Sequence, residues 1–299
     1  MTTPTKFLIL SDTHNFDKFT ADPSSPLCQP LPKVDVVLHC GDLTQVGGIS
    51  AYKKALKMLG DLDAELKLVI AGNHDISLDG DYWAENVDED DDPDEHTEAV
   101  ALMTGQLASG AGVTYLTEGR HEFTLQIGVS FSIFVSPYQP ECGNWAFGYK
   151  CTEDRWSIIP DDVEIVMTHG PPKGILDLAP KHGNVGCKFL LEGIRRSRPL
   201  MHCFGHIHEG YGAEMKVWDD SKSTGPKTNE SNEESEDAEA SEDDECSEVV
   251  RVTKAGTHDE GTSFTLSPGE STLMVNAAIM DDNDQSKNAP FLVELPLDI

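Results

Sequence analysis

The chain has 299 residues, a hydrophobic fraction of 38%, seven cysteines and a formal net charge of −31. A chain this acidic lacks the basic face that binds nucleic-acid phosphates or anionic lipid surfaces, so we expect neither nucleic-acid nor membrane partners. Because no apolar run could span a membrane or serve as a signal peptide, and no cysteines form a C-x-x-C pair, we expect a soluble cytoplasmic protein with reduced thiols.

Short apolar runs typical of buried strands alternate with amphipathic helical patterns along the chain. The predicted strands include KFLIL, VDVVLHC, LKLVIAG, VSFSIFVS, VEIVMTHG, PLMHCFG, STLMVNAA and FLVELP. The predicted helices are ISAYKKALKMLGDL, HTEAVALMTGQLAS and VGCKFLLEGIRRS. Gly128 is expected to form a tight turn between two strands. Because strand and helix alternate in the N-terminal third, we predict one α/β domain over residues 1–299 with parallel strands in its core.

Two segments are too acidic to belong to that core. Residues 85–98 carry nine carboxylates and no lysine or arginine, so we predict an acidic loop there. Residues 219–262 are rich in serine, glutamate and aspartate and have very few apolar side chains. Burial cannot offset the entropy lost when such a segment is ordered. We therefore predict a disordered acidic insert at about 219–262 that interrupts the domain.

Polar side chains of types that bind metals follow five of the predicted strands directly. They are Asp12, His14, Asp42, Asn73, His74, Asp75, His169, His206 and His208. Loops at the carboxyl ends of strands form the ligand sites of α/β sheets. An isolated H-x-H pair is as often two surface histidines as a ligand pair, but five such strand ends favour one shared site. Side chains two residues apart in an extended chain face the same way, so His206 and His208 can both reach that site.

The chemistry of this set points to metal ions. Two carboxylates, one amide and four imidazoles make a mixed oxygen and nitrogen environment, which suits divalent transition metals better than Mg²⁺ or Ca²⁺. Mn²⁺, Fe²⁺ and Zn²⁺ all suit such donors. Two such ions about 3.5–4 Å apart hold a phosphoryl group between them and lower the pKa of a shared water. The sequence therefore predicts a dinuclear metal site.

The motifs D-x-H, G-D, G-N-H-D, T-H-G and G-H-I-H, in this order, resemble the calcineurin-like metallophosphoesterase superfamily. The segments HCGDLTQVGG, SPYQPECGNWAFGY, THGPPKGILDL and FGHIHEGYG, followed by VNAA, resemble its metallophosphoesterase-domain subgroup. The Asp-Arg-Gly of protein Ser/Thr phosphatases does not follow the second motif. The resemblance implies a four-layer αββα sandwich of two mixed β-sheets flanked by helices. It also implies two divalent transition metal ions, of which Mn²⁺ is the expected one.

The resemblance further assigns the metal ligands. The first ion is expected at Asp12, His14 and His208, the second at Asn73, His169 and His206, and both at the bridging Asp42. In the same scheme, a hydroxide that bridges the two ions attacks the phosphorus of the ester.

The remaining roles concern catalysis and the substrate. His74 is expected to protonate the leaving oxygen, with Asp75 as its orienting partner. Asn73 and His74, with Asn144 and Trp145, are the expected substrate contacts. The aromatic-rich loop that carries Asn144 and Trp145 either covers the core or forms a flat wall for a substrate ring.

The resemblance thus implies a phosphodiesterase that acts on cyclic nucleotides or simple phosphodiesters, with a small phosphoester as its partner. A phosphomonoesterase needs the same metal pair, so the sequence leaves that alternative open. A non-catalytic metal-binding scaffold is the other alternative. The sequence leaves the oligomeric state and the native metal open.

Overall fold

The computed structural model describes residues 2–16, 31–87, 91–219, 247–255, 261–281, 283 and 285–299. The first eight strands are β1 (Thr2–Leu10), β2 (Val34–His39), β3 (Ala64–Val69), β4 (Val113–Tyr115), β5 (Gly119–Thr124), β6 (Ser130–Ser136), β7 (Gln139–Pro140) and β8 (Gly148–Tyr149). The others are β9 (Ile165–Thr168), β10 (Leu178–Ala179), β11 (Gly183–Asn184), β12 (Met201–Phe204), β13 (Gly212–Val217), β14 (Glu248–Lys254), β15 (Thr262–Leu266), β16 (Ser271–Asn276) and β17 (Phe291–Asp298). The helices are α1 (Ile49–Gly60), α2 (Gly80–Asn86), α3 (Glu95–Thr104), α4 (Gln106–Gly110) and α5 (Lys188–Ser197).

The strands form two large mixed sheets and two short strand pairs. The first large sheet has the order β15-β14-β17-β1-β2-β3-β4, and its strands β1 to β4 are parallel. The second has the order β13-β16-β12-β9-β6-β5, with β16, β12, β9 and β6 parallel. The parallel strands predicted for the N-terminal third are confirmed. The turn predicted at Gly128, whose φ is 93°, joins the antiparallel strands β5 and β6.

Three apolar clusters separate four layers. Alternate residues of β1 point to opposite faces of their sheet, so Phe7 and Ile9 face the second sheet while Leu8 and Leu10 face α1, α3 and α4. The third cluster lies between the second sheet and α5. The parallel strands β2, β6, β9, β12 and β16 are therefore buried on both faces along most of their length, as expected for parallel strands covered by helices. The four-layer αββα sandwich is confirmed.

The segment predicted as one helix over residues 96–109 is broken in the structure. α3 ends at Thr104 and α4 begins at Gln106, with Gly105 between them. Glycine is a poor helix former. A side chain at Gly105 would also place its Cβ 2.5 Å from the carbonyl oxygen of Ala101, so the backbone approach needs glycine.

The predicted boundaries of both acidic segments are wrong. Residues 248–254, placed in the disordered insert, form β14, which pairs with β17 and β15. The buried side chains of Val250 and Val252 alternate with the exposed Val249 and Arg251, and this short buried face is what the acidic composition concealed. Residues 220–246 and 256–260 of the predicted insert lie outside the described residues. In the predicted acidic loop, α2 and α3 cover both ends, and residues 88–90 are not described.

The connection between β13 and β16 passes through the other sheet. These two strands are antiparallel neighbours, yet β14 and β15 lie between them in sequence and belong to the first sheet. Both flanks of residues 220–246 reach the same turn. The backbone N–H of Trp218 donates to the carbonyl of Glu270, and the hydroxyl oxygens of Ser247 and Ser267 are 3.2 Å apart.

No helix among the described residues is both long enough and apolar enough to cross a membrane.

Candidate metal centre

The candidate ligands lie where strands of both sheets end. Asp12 follows β1, Asp42 follows β2 and Asn73 follows β3, all in the first sheet. His169 follows β9 and His206 follows β12, both in the second sheet. The carboxyl ends of all five strands meet at one edge of the sandwich, so five loops converge on one site.

The backbone at these strand ends is left-handed at several candidate ligands. Residues other than glycine rarely adopt a positive φ, yet four of the set do: Asp12 (54°), His14 (40°), Asp42 (56°) and His206 (67°). Such backbone strain clusters at functional sites, where it directs a side chain that a regular strand would point elsewhere. The neighbouring Gly205 has no room for a side chain, because its Cβ would lie 2.0 Å from an oxygen of Asp12.

One cluster of potential ligand atoms comprises Asp12, His14 and His208. The Nε2 atom of His208 lies 3.4 Å from Oδ1 of Asp12 and 3.3 Å from Nε2 of His14. The other ring nitrogen of His208, Nδ1, is 3.2 Å from the carbonyl oxygen of Asp281, to which it can only donate. This hydrogen bond keeps a proton on Nδ1 and leaves Nε2 directed at the cluster.

A second cluster comprises Asp42, His169 and His206. The Nε2 atom of His169 lies 3.4 Å from Oδ2 of Asp42 and 2.9 Å from Oδ1 of Asn73. Its Nδ1 atom donates to the carbonyl of Cys40 over 2.9 Å. Backbone carbonyls therefore fix the ring orientation of one histidine in each cluster, an arrangement common around metal-binding histidines.

Asp42 lies between the two clusters. Its Oδ2 atom is 3.6 Å from Nε2 of His14 and 3.4 Å from Nε2 of His169. Its Oδ1 atom accepts a hydrogen bond of 2.8 Å from the backbone N–H of His74. With a relative exposure of 1%, the carboxylate has almost no contact with solvent. One carboxylate thus faces both groups of imidazoles.

The electrostatics of the site fit a pair of cations. Burial lowers the pKa of His169 and His208, but Asp42 and Asp12 respectively outweigh it and raise both values to about 9. Burial lowers the pKa of His206 to about 3. Burial raises the pKa of Asp12, yet its contact with His208 holds that pKa well below the usual range. The site therefore attracts positive charge, as protons or as metal ions.

The spacing of the donor atoms also fits metal ions. Nitrogen ligands lie about 2.0–2.1 Å from a tetrahedral divalent ion such as Zn²⁺, which places two of them about 3.3–3.4 Å apart. The Nε2 atoms of His14 and His208 are 3.3 Å apart. Nδ1 of His14 is buried and has no hydrogen-bond partner among the described residues. The donor set and its spacing therefore suit divalent transition metals.

His74 borders both clusters without belonging to the predicted ligand set. Its Nδ1 atom donates to the carbonyl of Gln45 over 2.7 Å, which leaves Nε2 as the free nitrogen. Its ring lies 4.6 Å from the ring of His14 and 4.0 Å from that of Trp145, measured between centroids. His74 also forms a third group of potential ligand atoms with His14 and Asp42, which overlaps the other two. His74 is thus adjacent to both clusters.

The prediction that Asp75 orients His74 is wrong. The carboxylate of Asp75 accepts hydrogen bonds from the backbone N–H groups of Leu43, Thr44 and Gly72 and from the hydroxyl of Thr44. It is fully buried and joins the loops that follow β2 and β3, so it supports the backbone of the site. Burial raises its pKa to about 7. The imidazole of His74 is oriented instead by a backbone carbonyl.

Of the two expected substrate contacts in the loop between β7 and β8, the structure brings only Trp145 to the site. Its indole covers His74 and lines an adjacent cavity of about 240 Å³. Asn144 lines the same cavity, but its side-chain amide donates to Asn86 over 2.8 Å. The other aromatic residues of this region pack within the protein: Tyr138 under Arg155, Phe147 in the core and Tyr149 against Trp156.

The sequence missed the groups that orient the histidines. Three backbone carbonyls do this, those of Cys40, Gln45 and Asp281. A main-chain carbonyl occurs at every residue, so no residue type marks it. One buried polar side chain near the site does have a sequence signal. This is Asn276, which stands in the VNAA segment at the end of an otherwise largely apolar strand.

The sequence of this chain matches a known family over the whole region that carries the candidate metal ligands. Residues 5–210 fit the calcineurin-like phosphoesterase family. This chain belongs to that family, as its motifs predicted.

Two relatives illustrate the similarity. The human protein called metallophosphoesterase domain-containing protein 1 is 36% identical over 222 residues, which are 70% of this chain and 62% of the human protein. The Caenorhabditis elegans protein called UPF0046 protein T07D4.2 is 34% identical over 191 residues, which are 61% of this chain and 48% of that protein. This chain therefore spans less than two thirds of the length of either relative.

Proposed function

We propose that this protein is a metal-dependent phosphodiesterase that hydrolyses small phosphodiesters such as cyclic nucleotides or aryl diesters. Its family and its two clusters of ligand atoms support a metal-dependent phosphoester hydrolase. The observation that carries the proposal is the position of Asp42, whose Oδ2 atom lies within 3.6 Å of a histidine nitrogen in each cluster. Paired metal ions that hydrolyse phosphate esters lie only about 3.5–4 Å apart, and a carboxylate in this position could bind both.

When bound, two divalent ions supply positive charge to the phosphoryl oxygens and a water of lowered pKa. The residues of this chain hold that arrangement in place. Asp12, His14 and His208 would bind one ion, Asn73, His169 and His206 the other, and Asp42 both. The buried carboxylates keep the site strongly attractive to cations, and the backbone carbonyls keep the imidazole nitrogens directed at them.

His74 would supply the proton for the leaving group. The Gln45 carbonyl holds one proton on Nδ1, so a proton on Nε2 can pass to a departing alkoxide. Its backbone N–H donates to Asp42, which ties the position of the acid to that of the shared ligand. The face of Trp145 fixes the plane of the ring.

The charge of the cavity beside Trp145 supports a diester rather than a monoester as the substrate. The cavity beside Trp145 is lined by carboxylates that include Asp81, Glu85 and Glu141. Among the residues that the structure describes, no lysine or arginine lines this cavity. A diester carries one negative charge, whereas a monoester, with its second pKa near 6, carries almost two at pH 7. The acidic surroundings therefore penalise a monoester more.

Turnover of matched substrates tests this proposal. Metal-stripped protein is reconstituted with Mn²⁺, Fe²⁺ or Zn²⁺ and assayed with bis-p-nitrophenyl phosphate and p-nitrophenyl phosphate, and bound metal is counted in each sample. We expect two ions per chain and a higher kcat/KM for the diester. A higher kcat/KM for the monoester would make the protein a phosphomonoesterase. Two bound ions without turnover of either ester, or of a cyclic nucleotide, would leave a non-catalytic metal-binding scaffold.

A further inference from the structure

The side chain of Asn276 lies beneath the loop that carries His206 and His208. Asn276 is the last residue of β16, which is flanked by β12 and β13. β12 leads into this loop and β13 leads out of it, and the register pairs Asn276 with Phe204 on one side and Gly212 on the other. The loop over residues 205–211 must therefore cross the end of β16 at Asn276.

Both N–H groups of the Asn276 side-chain amide donate hydrogen bonds. Its Nδ2 atom donates to the carbonyl of Ile207 over 2.9 Å and to the carbonyl of Leu176 over 3.1 Å. Its Oδ1 atom accepts from the backbone N–H of Ala278 over 3.2 Å. The side chain is fully buried. Two carbonyls on one side and an N–H on the other permit only one orientation of the amide.

The carbonyl of Ile207 is the critical contact, because this residue stands between the two histidines. His206 belongs to the cluster around Asp42, whereas His208 belongs to the cluster around Asp12. His206 has a φ of 67°, so the chain reverses sharply before Ile207. A hydrogen bond that fixes the peptide group between His206 and His208 constrains the direction of both imidazoles.

The surrounding packing shows that this contact is tight. A side chain at Gly210 would place its Cβ 2.0 Å from the carbonyl oxygen of Leu176 and 2.8 Å from Nδ2 of Asn276. The loop thus lies directly on the Asn276 amide. The segment that follows Asn276 also supplies the Asp281 carbonyl, which accepts a hydrogen bond from Nδ1 of His208. Residues 276–281 therefore support the loop at two points.

We propose that Asn276 is a positioning residue that fixes the loop over residues 205–211 so that His206 and His208 each reach a different metal ion. This inference rests on the proposed function, which assigns these histidines to separate ions. Partners that orient a metal ligand typically contribute about 10–100-fold to metal affinity. Because one amide supports ligands of both ions, its removal weakens both sites together.

Two substitutions test this role. Asn276→Ala removes both donors, and Asn276→Asp removes them while it keeps the size of the side chain and the acceptor for Ala278. If the alanine variant fails to fold, the aspartate variant still provides the test. The matched control is Thr272→Val in the same strand. Thr272 is fully buried, accepts from Trp218 and donates to the carbonyl of Pro199, so its loss disturbs β16 away from the loop.

The readout is metal binding without substrate. Mn²⁺ dissociation constants of the stripped proteins are measured by calorimetry, and Co²⁺ complexes are compared by their visible absorption. Thermal unfolding reports stability. We expect both Asn276 variants to bind each of the two Mn²⁺ ions about 10–100-fold more weakly and to shift the Co²⁺ spectrum. Thr272→Val should lower thermal stability while leaving both metal readouts unchanged.

The controls separate this inference from the function on which it rests. Wild-type affinity for both ions in a folded Asn276→Asp protein would overturn the role of Asn276. An equal loss of affinity in Thr272→Val would overturn it as well, because a general loss of stability would then explain the effect. His206→Ala and His208→Ala should each lose one ion. If both kept two ions, the ligand assignment in the proposed function would itself be wrong.

Discussion

The indole ring of Trp145 lies against the imidazole of His74, with ring centroids 4.0 Å apart and planes tilted by 32°. The edge of the same imidazole donates to the carbonyl of Gln45. His74 is therefore held both on its face and at one nitrogen, and only Nε2 is left for chemistry. Trp145 also lines the adjacent cavity, so this one aromatic residue contacts both the imidazole and that cavity.

Replacement of Trp145 should weaken substrate binding more than it changes the chemistry. An aromatic contact contributes about 0.5–1.5 kcal/mol, so Trp145→Ala should raise KM for an aryl diester about 2- to 10-fold. Trp145→Phe keeps a ring and should stay close to wild type. Steady-state kinetics measure both. Tyr149→Phe is the control, since it removes only the hydroxyl that accepts from Trp156. An unchanged KM in the alanine variant would exclude a substrate contact.

The role of His74 predicts a dependence on the leaving group. His74→Ala should keep both metal ions and lose about 10²–10⁴-fold activity on alkyl diesters, whose alkoxides need a proton. The loss should be smaller for p-nitrophenyl esters, because p-nitrophenolate departs without one. The measurements are the hydrolysis rates of the variant on alkyl and p-nitrophenyl diesters and its metal content. His121→Ala, at a half-buried histidine of β5 outside the site, serves as control. Equal losses on both esters would mean that His74 has another role.

The shared carboxylate should be indispensable. Asp42→Asn keeps the shape but removes the charge that faces His14 and His169, so one ion and nearly all activity should be lost. This loss of activity should exceed the roughly 10–100-fold loss that is typical when a residue that only orients a metal ligand is replaced. Metal content and kcat/KM are measured together. Asp162→Asn removes an exposed carboxylate paired with Arg120 and should change neither. Two bound ions and normal turnover in Asp42→Asn would contradict the shared-ligand assignment.

Metal binding should release protons. In the metal-free protein the pKa values of His169 and His208 are about 9. These values exceed the roughly 6.5 of an unfolded chain, so protonation stabilises the metal-free fold fully below about pH 6.5, and this contribution is lost as pH rises through 9. Metal ions must displace these protons, so affinity should rise with pH, by about tenfold per unit for each proton released.

Calorimetry in buffers of different ionisation enthalpy counts the protons released on metal binding. The matched comparison is His169→Ala, in which the count should fall. An affinity that is independent of pH over this range would show that the two histidines are not protonated before the metal binds.

The acidic segment should be dispensable for catalysis, but the part that can be removed is shorter than the acidic composition indicates. Removal of all of 219–262 would delete β14, whereas replacement of 220–246 by a short Gly-Ser link keeps every described strand. Both flanks lie at the turn that contains Ser267 and Glu270, so a short link can close the gap. Doubling the length of a flexible loop costs only about 0.6 kcal/mol, so the fold should not depend on this one.

We expect the shortened protein to bind two ions and to retain turnover within a few-fold of wild type. Any difference should shrink as salt rises, because charges are screened beyond about 8–10 Å. A substitution of equal length by a Gly-Ser sequence separates the effect of charge from that of length. A folded, two-metal protein that is inactive at every salt concentration would show that the segment takes part in the active site.

The layers of the fold and the convergence of strand ends were predictable because both follow from local pattern. The apolar runs before Asp12, Asp42 and His169 mark strands, and their ends must meet at one edge of a sandwich of parallel strands. β14 was missed for a physical reason. Its two buried valines lie beside a long acidic tract, and average composition over that region hides a short alternation that pairs with β17, far away in sequence.

The role of Asp75 was not predictable from its position next to His74. The partners of its carboxylate are backbone N–H groups of residues around 43 and 72, and only the folded chain brings them together. Asn144 illustrates the same limit. Its neighbour Trp145 faces the site, but its own amide bonds to Asn86, which is 58 residues away in sequence. Residue type predicted which chemistry was available, and long-range contacts decided which side chains were free to perform it.

The left-handed backbone at Asp12, His14, Asp42 and His206 has a consequence for directed evolution. Each of these residues occupies a conformation that costs of order 1–3 kcal/mol and that glycine, and to a lesser degree asparagine, adopts more readily. A library screened only for heat resistance or expression would therefore tend to replace them. Variants selected in this way would be more stable but would no longer bind metal, so a screen for thermostable variants of this protein must also select for bound metal in every round.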